Sequence, residues 1–187
     1  MDFLPPLQRS HIMSRIRSRD TVPEMAIRRA LYARGLRFRL HRRDLPGRPD
    51  LYFPASRTAV FVHGCFWHAH ACRLFRQPAS RTAYWTPKLA SNQERDRRSR
   101  AALEAAGIRV ITVWECALRG RGRRPIDSVA DELAGLILDP SRQSTEIGGS
   151  DQAATSARMP TRALGGASAS TLAAAAATTL PASSAPR

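Results

Sequence analysis

The chain's 187 residues suffice for one domain with a sizeable core and are few for two. Its 30 lysines and arginines outnumber 15 acids, a formal net charge of +15, so a polyanionic partner is expected, by default nucleic acid. No apolar run reaches the ~18 residues that cross a bilayer, and residues 1–10 lack the apolar stretch of a signal peptide, which leaves a cytoplasmic protein with no membrane partner as the expectation.

Residues 1–20 read as a basic arm carrying Arg9, Arg15, Arg17 and Arg19, with apolar character only around Ile12, Met13 and Ile16. Thr21 and Glu24 then have capping-box spacing with Pro23 in the first turn, and Ile27, Ala30 and Leu31 recur at helical spacing until Gly35 ends the run. Leu36, Phe38 and Leu40 alternate with Arg37 and Arg39, the period of a half-buried strand. The stretch 45–49 is turn chemistry, and a strand opens straight after it at 50–53. A second turn at 54–57 leads to 58–62, β-branched and apolar enough for a buried central strand, so the two strands form a hairpin in a mixed sheet.

A Cys/His-rich stretch follows, then a polar helix from about 87 to 106 closed by Gly107, then a strand at 108–114. An amphipathic helix with Ile126, Val129, Leu133, Leu136 and Ile137 ends near Asp139-Pro140. From 141 to 187 the composition falls to Ala, Ser, Thr, Gly and Pro, which bury too little surface to offset their ordering entropy, and a disordered tail is expected. The organisation is thus an arm (1–20), a folded domain (21–140) that holds the charge excess, and a tail.

Three cysteines, Cys65, Cys72 and Cys116, cannot all pair, and metal ligation is the better use of them in a cytosolic chain. Cys65-Phe66-Trp67-His68-Ala69-His70-Ala71-Cys72 with the remote Cys116 has the donor pattern that closes a tetrahedral zinc site. A set of three thiolates and one imidazole is coordinatively full and therefore structural, clamping the loop after the hairpin to the end of the strand at Trp114. Spacing leaves open whether His68 or His70 is the fourth ligand, and cysteines packed as small hydrophobes are the plainer alternative. Asp50 at the mouth of one strand and His63 at the end of its partner suit a second chemistry, because two-metal nucleases hold magnesium on an anionic oxygen helped by carbonyls or water. The positions where restriction-type nucleases place a second acid and a lysine hold Phe61, Val62 and His63 here. A Pro-Asp pair in a turn is also commonplace, so both uses of Asp50 stay open on spacing alone.

Pro46-Gly47-Arg48-Pro49-Asp50, then His63-Gly64-Cys65-Phe66-Trp67-His68, then Asn92-x-x-Arg95-Asp96, then Val113-Trp114-Glu115-Cys116-Ala117-Leu118 resemble, closely and in order, the very-short-patch-repair (Vsr) DNA mismatch endonucleases. The likeness runs from about residue 10 to 120. It implies an α/β fold like that of the type II restriction endonucleases, a mixed β-sheet core flanked by helices and carrying a structural zinc site. The implied activity is nicking of one strand on the 5′ side of the thymine in a T:G mismatch, left when 5-methylcytosine deaminates, which initiates very short patch repair. Carried onto this chain, the resemblance implies that Asp50 holds catalytic Mg2+ with the backbone carbonyl of Val62, that His63 contacts the attacking water or the phosphate, and that His68 is the general base. Glu24 would steady the hydration shell of the metal, with the capping box as its alternative role. Cys65, His70, Cys72 and Cys116 would hold Zn2+. Phe66 and Trp67, with Met13 from the arm, would wedge into the base stack beside the mismatch, although core positions are the alternative for the two aromatics. Lys88 and Asn92 would lie near phosphates. The implied partners are mismatched double-stranded DNA and a MutL-like repair protein, acting on a monomer at the bacterial nucleoid.

Other readings fit parts of the sequence: a restriction-type endonuclease without mismatch preference, a zinc-stabilised DNA-binding module without catalysis, or an open catalytic zinc site ligated by His63 and His68. Asp50, His63 and His68 together exceed what a zinc brace needs, and this favours the enzyme.

Overall fold

A computed structural model describes residues 19–150. Met13 and most of the basic arm, together with 151–187, lie outside the described residues. In chain order the elements are α1 (Val22–Ala33), β1 (Arg39–Leu40), β2 (Leu51–Phe53), β3 (Thr58–His63), α2 (Thr82–Ala105), β4 (Arg109–Trp114), α3 (Ile126–Leu138) and β5 (Thr145–Ile147), with a 3-10 turn at Glu115–Ala117 between β4 and α3. The five strands form one sheet in the order β1-β2-β3-β4-β5. The β1/β2 and β2/β3 pairs are antiparallel, and β3/β4 and β4/β5 are parallel, so the protein is α/β with a mixed sheet.

Side chains along β3 alternate between the two faces of the sheet as the pleat requires, and residues 58–61 are buried on both. Val60 joins Ile27 and Leu31 of α1, Leu51, Ile111, Val113 and the α3 residues Val129, Leu133 and Ile137 in one core layer. Ala59 and Phe61 point to the other face, where Leu103 of α2 packs with Ile108 and Val110. Two helices therefore cover one face of the sheet and α2 the other. Several arginines serve the scaffold. Arg109 donates to the Leu136, Ile137 and Asp139 carbonyls at the end of α3, and Arg57 to those of Ala106 and Gly107 after α2, where a cation meets the negative end of the helix.

Three expectations change. Leu36 and Phe38 pack on the core without strand pairing, and only the exposed Arg39 and Leu40 pair with β2. His41 has φ 45°, which takes the chain out of the extended region and ends the ladder. Helix α2 begins at Thr82, five residues before Pro87. Pro87 cannot donate to the Ala83 carbonyl, but Ala83 is exposed and water can satisfy it, while Trp85 in the added turn packs at 5.2 Å on Phe66 and 6.0 Å on Trp67. Finally, Thr145–Ile147, placed in the tail on composition, is strand β5 along β4, with Ile147 in the core. The ordered domain therefore continues past Pro140.

Two glycines fix how loops approach the site. Gly47 has φ 73°, and a Cβ there would lie 2.8 Å from Ser99 Cβ and 3.2 Å from Phe61 Cζ, so the turn leading to Asp50 lies directly on α2. A Cβ on Gly149 would lie 2.6 Å from the Cys116 carbonyl, so only glycine brings the chain after β5 that close to the cysteine.

Candidate active site and thiolate cluster

The antiparallel β2/β3 register pairs Leu51 with Val60, which sets Asp50 beside the end of β3. There the Val62 N–H donates to Asp50 Oδ2 at 2.7 Å. Among the described residues, the other carboxylate oxygen has His41 Nδ1 as its polar neighbour, at 3.8 Å and beyond hydrogen-bonding range. Burial raises the Asp50 carboxyl to about 6, against the Val62 N–H, with Glu24 adding to the rise and Arg28 opposing it. An aspartate this short of compensating charge, with an oxygen turned to a cleft, suits a hard divalent cation.

His63 ends β3 and stacks on His68, the rings 3.8 Å apart and 6° from parallel. Burial and the neighbouring His68 hold the His63 imidazole down at about 3, so it is neutral near pH 7. His68 Nδ1 meets Asp96 Oδ2 at 2.5 Å, which leaves Nε2 as the ring nitrogen free to take a proton. Asp50, Val62, His63, His68 and Asp96 line one cleft of about 800 Å3, and an adjoining cleft of about 910 Å3 shares Val62, His63 and His68 and continues past Phe66, Trp67 and Lys88. The two form a groove across the histidines.

Parallel pairing of His63 with Trp114 brings the chain leaving β3 and the chain leaving β4 to the same end of the sheet. Cys65, His70, Cys72 and Cys116 meet there, with one ligand atom from each within 4.8 Å of all the others. His70, and not His68, faces the thiols, with Nδ1 3.5 Å from Cys65 Sγ and 3.7 Å from Cys116 Sγ. Its ring stacks on Trp114 at 3.8 Å. The Gly149 N–H donates to Cys116 Sγ at 3.4 Å. The Cys65 thiol, His70 and this N–H together pull the Cys116 thiol down, whereas Cys65 is raised as the partner that keeps the proton. Three thiol groups and an imidazole converging in a buried pocket suit a borderline-soft, four-coordinate metal ion.

The remaining expected residues divide. Glu24 is 2% exposed and does form the capping box, its Oε2 accepting from the Thr21 N–H at 3.3 Å. Its other oxygen is bound by Arg28 and lies 3.3 Å from His41 Nε2. Phe66 and Trp67 are half-buried in an aromatic cluster with Phe75 and Trp85, and Lys88 is exposed. Asn92 is buried, with Nδ2 donating to the Trp67 carbonyl at 2.8 Å and Oδ1 accepting from Arg95, so it pins the loop at the edge of the groove. Arg28, His41 and Trp85 were not singled out from the sequence, and Asp96 was quoted in a motif without a role. For Asp96 a signal existed, because it follows Asn92 by four residues and so shares its helix face.

Known proteins carry the assignment further. Residues 1–74 match the family described as DNA mismatch endonuclease Vsr. The chain is 52% identical over 140 residues to the type II nicking enzyme V.XorIIP of Xanthomonas oryzae pv. oryzae, covering 75% of this chain and 98% of that protein. It is 46% identical over 129 residues to the DNA mismatch endonuclease Vsr of Escherichia coli, covering 69% and 83%. It is 38% identical over 138 residues to the type II nicking enzyme V.NmeAIP of Neisseria meningitidis, covering 73% and 99%. The cleft and these relatives define a hydrolytic DNA endonuclease. The chain belongs to the Vsr family of very-short-patch-repair endonucleases.

Proposed function

We propose that the protein nicks one strand of duplex DNA on the 5′ side of the thymine in a T:G mismatch produced by deamination of 5-methylcytosine. The observation that carries this reading is the convergence of Asp50, His63 and the His68–Asp96 pair in one groove at the end of β3, in a chain similar to mismatch and nicking endonucleases. Asp50 holds the catalytic magnesium with the Val62 carbonyl. When bound, the cation supplies Lewis-acid stabilisation of the negative charge that builds on the scissile phosphate.

The chain's own groups do the rest. His68 accepts the proton of the attacking water at Nε2 while Asp96 holds Nδ1 and the ring orientation. His63, kept neutral by burial, hydrogen-bonds the water or a phosphate oxygen and adds no charge of its own. Phe66 and Trp67 line the continuation of the groove, where an apolar wedge enters the stack most cheaply beside a weak mispair, with Met13 as an additional wedge and Lys88 set against the backbone phosphates. Zn2+ at Cys65, His70, Cys72 and Cys116 braces the loop that carries both the histidines and the wedge. The sheet and its flanking helices support a restriction-endonuclease-like scaffold for this site.

The test is strand cleavage of a duplex bearing one T:G pair in a cytosine-methylation site beside the same duplex with C:G. Nicking of the T:G strand alone, dependent on magnesium, is expected. Equal cutting of both duplexes would make the protein a nuclease without mismatch preference. One observation favours a second metal arrangement, since ligand atoms of His63, His68 and Asp96 also lie within 4.8 Å of one another. Undiminished nicking in zinc-containing, magnesium-free buffer would move the catalytic ion there.

A further inference from the structure

Beside Asp50, behind His41 on the cleft wall, lies an acidic corner that the proposed mechanism does not explain. Asp20, Glu24 and His41 each direct a ligand atom to a common space, all within 4.8 Å of one another, a set that by itself could hold a cation. The corner already contains one. The Arg28 side chain, only 8% exposed, enters from α1, donating through Nη1 to Asp20 at 2.6 Å and through Nη2 to Glu24. The same Nη2 stands 2.7 Å from His41 Nε2. A guanidinium nitrogen only donates, so Nε2 accepts and the imidazole carries its proton on Nδ1, the atom turned toward Asp50. Arg28 Nε is buried without a hydrogen-bond partner. Two of its donors are thus spent on the acids and a third is left unsatisfied, a cost tolerated where the positive charge itself is what the site requires.

We propose that Arg28 is the resident cation of this corner and confines divalent cations to Asp50. Arginine stays charged at every working pH and, unlike a hydrated metal, cannot be diluted away. Glu24 Oε1 is engaged by Arg28 and Oε2 by the Thr21 N–H, so the charge of this carboxylate is already matched from within the protein. This deepens the assignment of Asp50 as the cation ligand and rests on it.

Mn2+ binding to the zinc-loaded protein, counted by electron paramagnetic resonance, tests the proposal without reference to nicking. Glu24→Gln should leave Mn2+ affinity within about twofold of wild type, because that carboxylate is not a ligand. Arg28→Met should acquire one additional Mn2+ per chain, and Arg28→Met combined with Glu24→Gln should lose it again. Arg28→Lys, which restores a fixed charge, should not gain it. A loss of roughly tenfold or more in affinity on Glu24→Gln alone, or a folded Arg28→Met protein with the wild-type count, overturns the proposal. Circular dichroism establishes whether Arg28→Met is folded; if it is not, the Glu24→Gln result alone decides. Asp50→Asn separates the two levels: if it leaves Mn2+ binding intact, the assignment of Asp50 fails, whereas the Arg28 arms speak only to the corner.

Discussion

The segment between β3 and α2 feeds two sites of opposite character. Cys65, His70 and Cys72 turn inward to meet Cys116, each donor facing another donor of the same chain. His63 and His68 come from the same stretch but line an open cleft with Asp50, their polar atoms facing free volume. A closed set of ligands can only brace, while an open set leaves room for a phosphate and a water. Trp114 joins them, stacked on His70 on one side and edge-on to His63 at 5.4 Å on the other. The contrast teaches that donor type alone does not assign a role, since histidines two residues apart serve different sites because the backbone between them turns, with Ala69 at φ 46°.

The sharpest way to break the comparison is Asp50→Asn. Loss of a cation anchor removes several kcal/mol of transition-state stabilisation, so nicking should fall by roughly a thousandfold or more while duplex binding in cation-free buffer persists. The same substitution should stabilise the cation-free protein. Because burial raises Asp50 from 3.8 to about 6, the folded state holds the proton more tightly than the unfolded chain, and stability falls as pH rises through that window. Asp50 faces Glu24, Arg28, His41 and His68, and none of these removes the shift. Asp50→Asn should therefore gain up to about 3 kcal/mol near pH 7 and little near pH 4, measured by denaturant unfolding. Equal stability of the two proteins at both pH values would contradict the burial account.

Asp96→Asn should cost nicking about 100-fold by releasing the orientation of His68, with DNA affinity unchanged; a matching loss of affinity would make Asp96 a DNA contact instead. Cys116→Ser acts on the closed site and should behave differently. Its first effect should be thermal, a drop on the order of 10 °C with loss of bound zinc by atomic absorption, and nicking by the surviving folded fraction should be retained. Direct loss of catalysis without loss of stability would give the thiolate cluster a chemical role. The smallest effects belong to the groove wall. Asn92→Ala should destabilise by about 1–3 kcal/mol because it frees the Trp67 carbonyl and Arg95, without changing the salt dependence of DNA binding. Lys88→Ala should leave stability alone and reduce the slope of log affinity against log salt by about one.

Capping at Thr21, the β2/β3 hairpin, the β4 strand and the amphipathic α3 were legible in the sequence because each depends on short-range rules of turn chemistry and apolar period. The identity of the donors was legible too, because cysteine, histidine and aspartate are rare enough to mark chemistry. Their partition was not. Whether His68 or His70 joins the thiols depends on one left-handed residue, and that Asn92 reaches the Trp67 carbonyl depends on where α2 lies. The first turn of α2 ran against proline's local preference and formed because Trp85 had aromatic neighbours from a distant loop. Strand β5 ran against composition, because a free edge of β4 and the core around Ile147 can order a segment that could not order itself. Local sequence thus determined most of the elements and the chemical inventory, while long-range packing added strand β5 and the first turn of α2 and decided which donors share a site, since that requires strands far apart in the chain to end side by side.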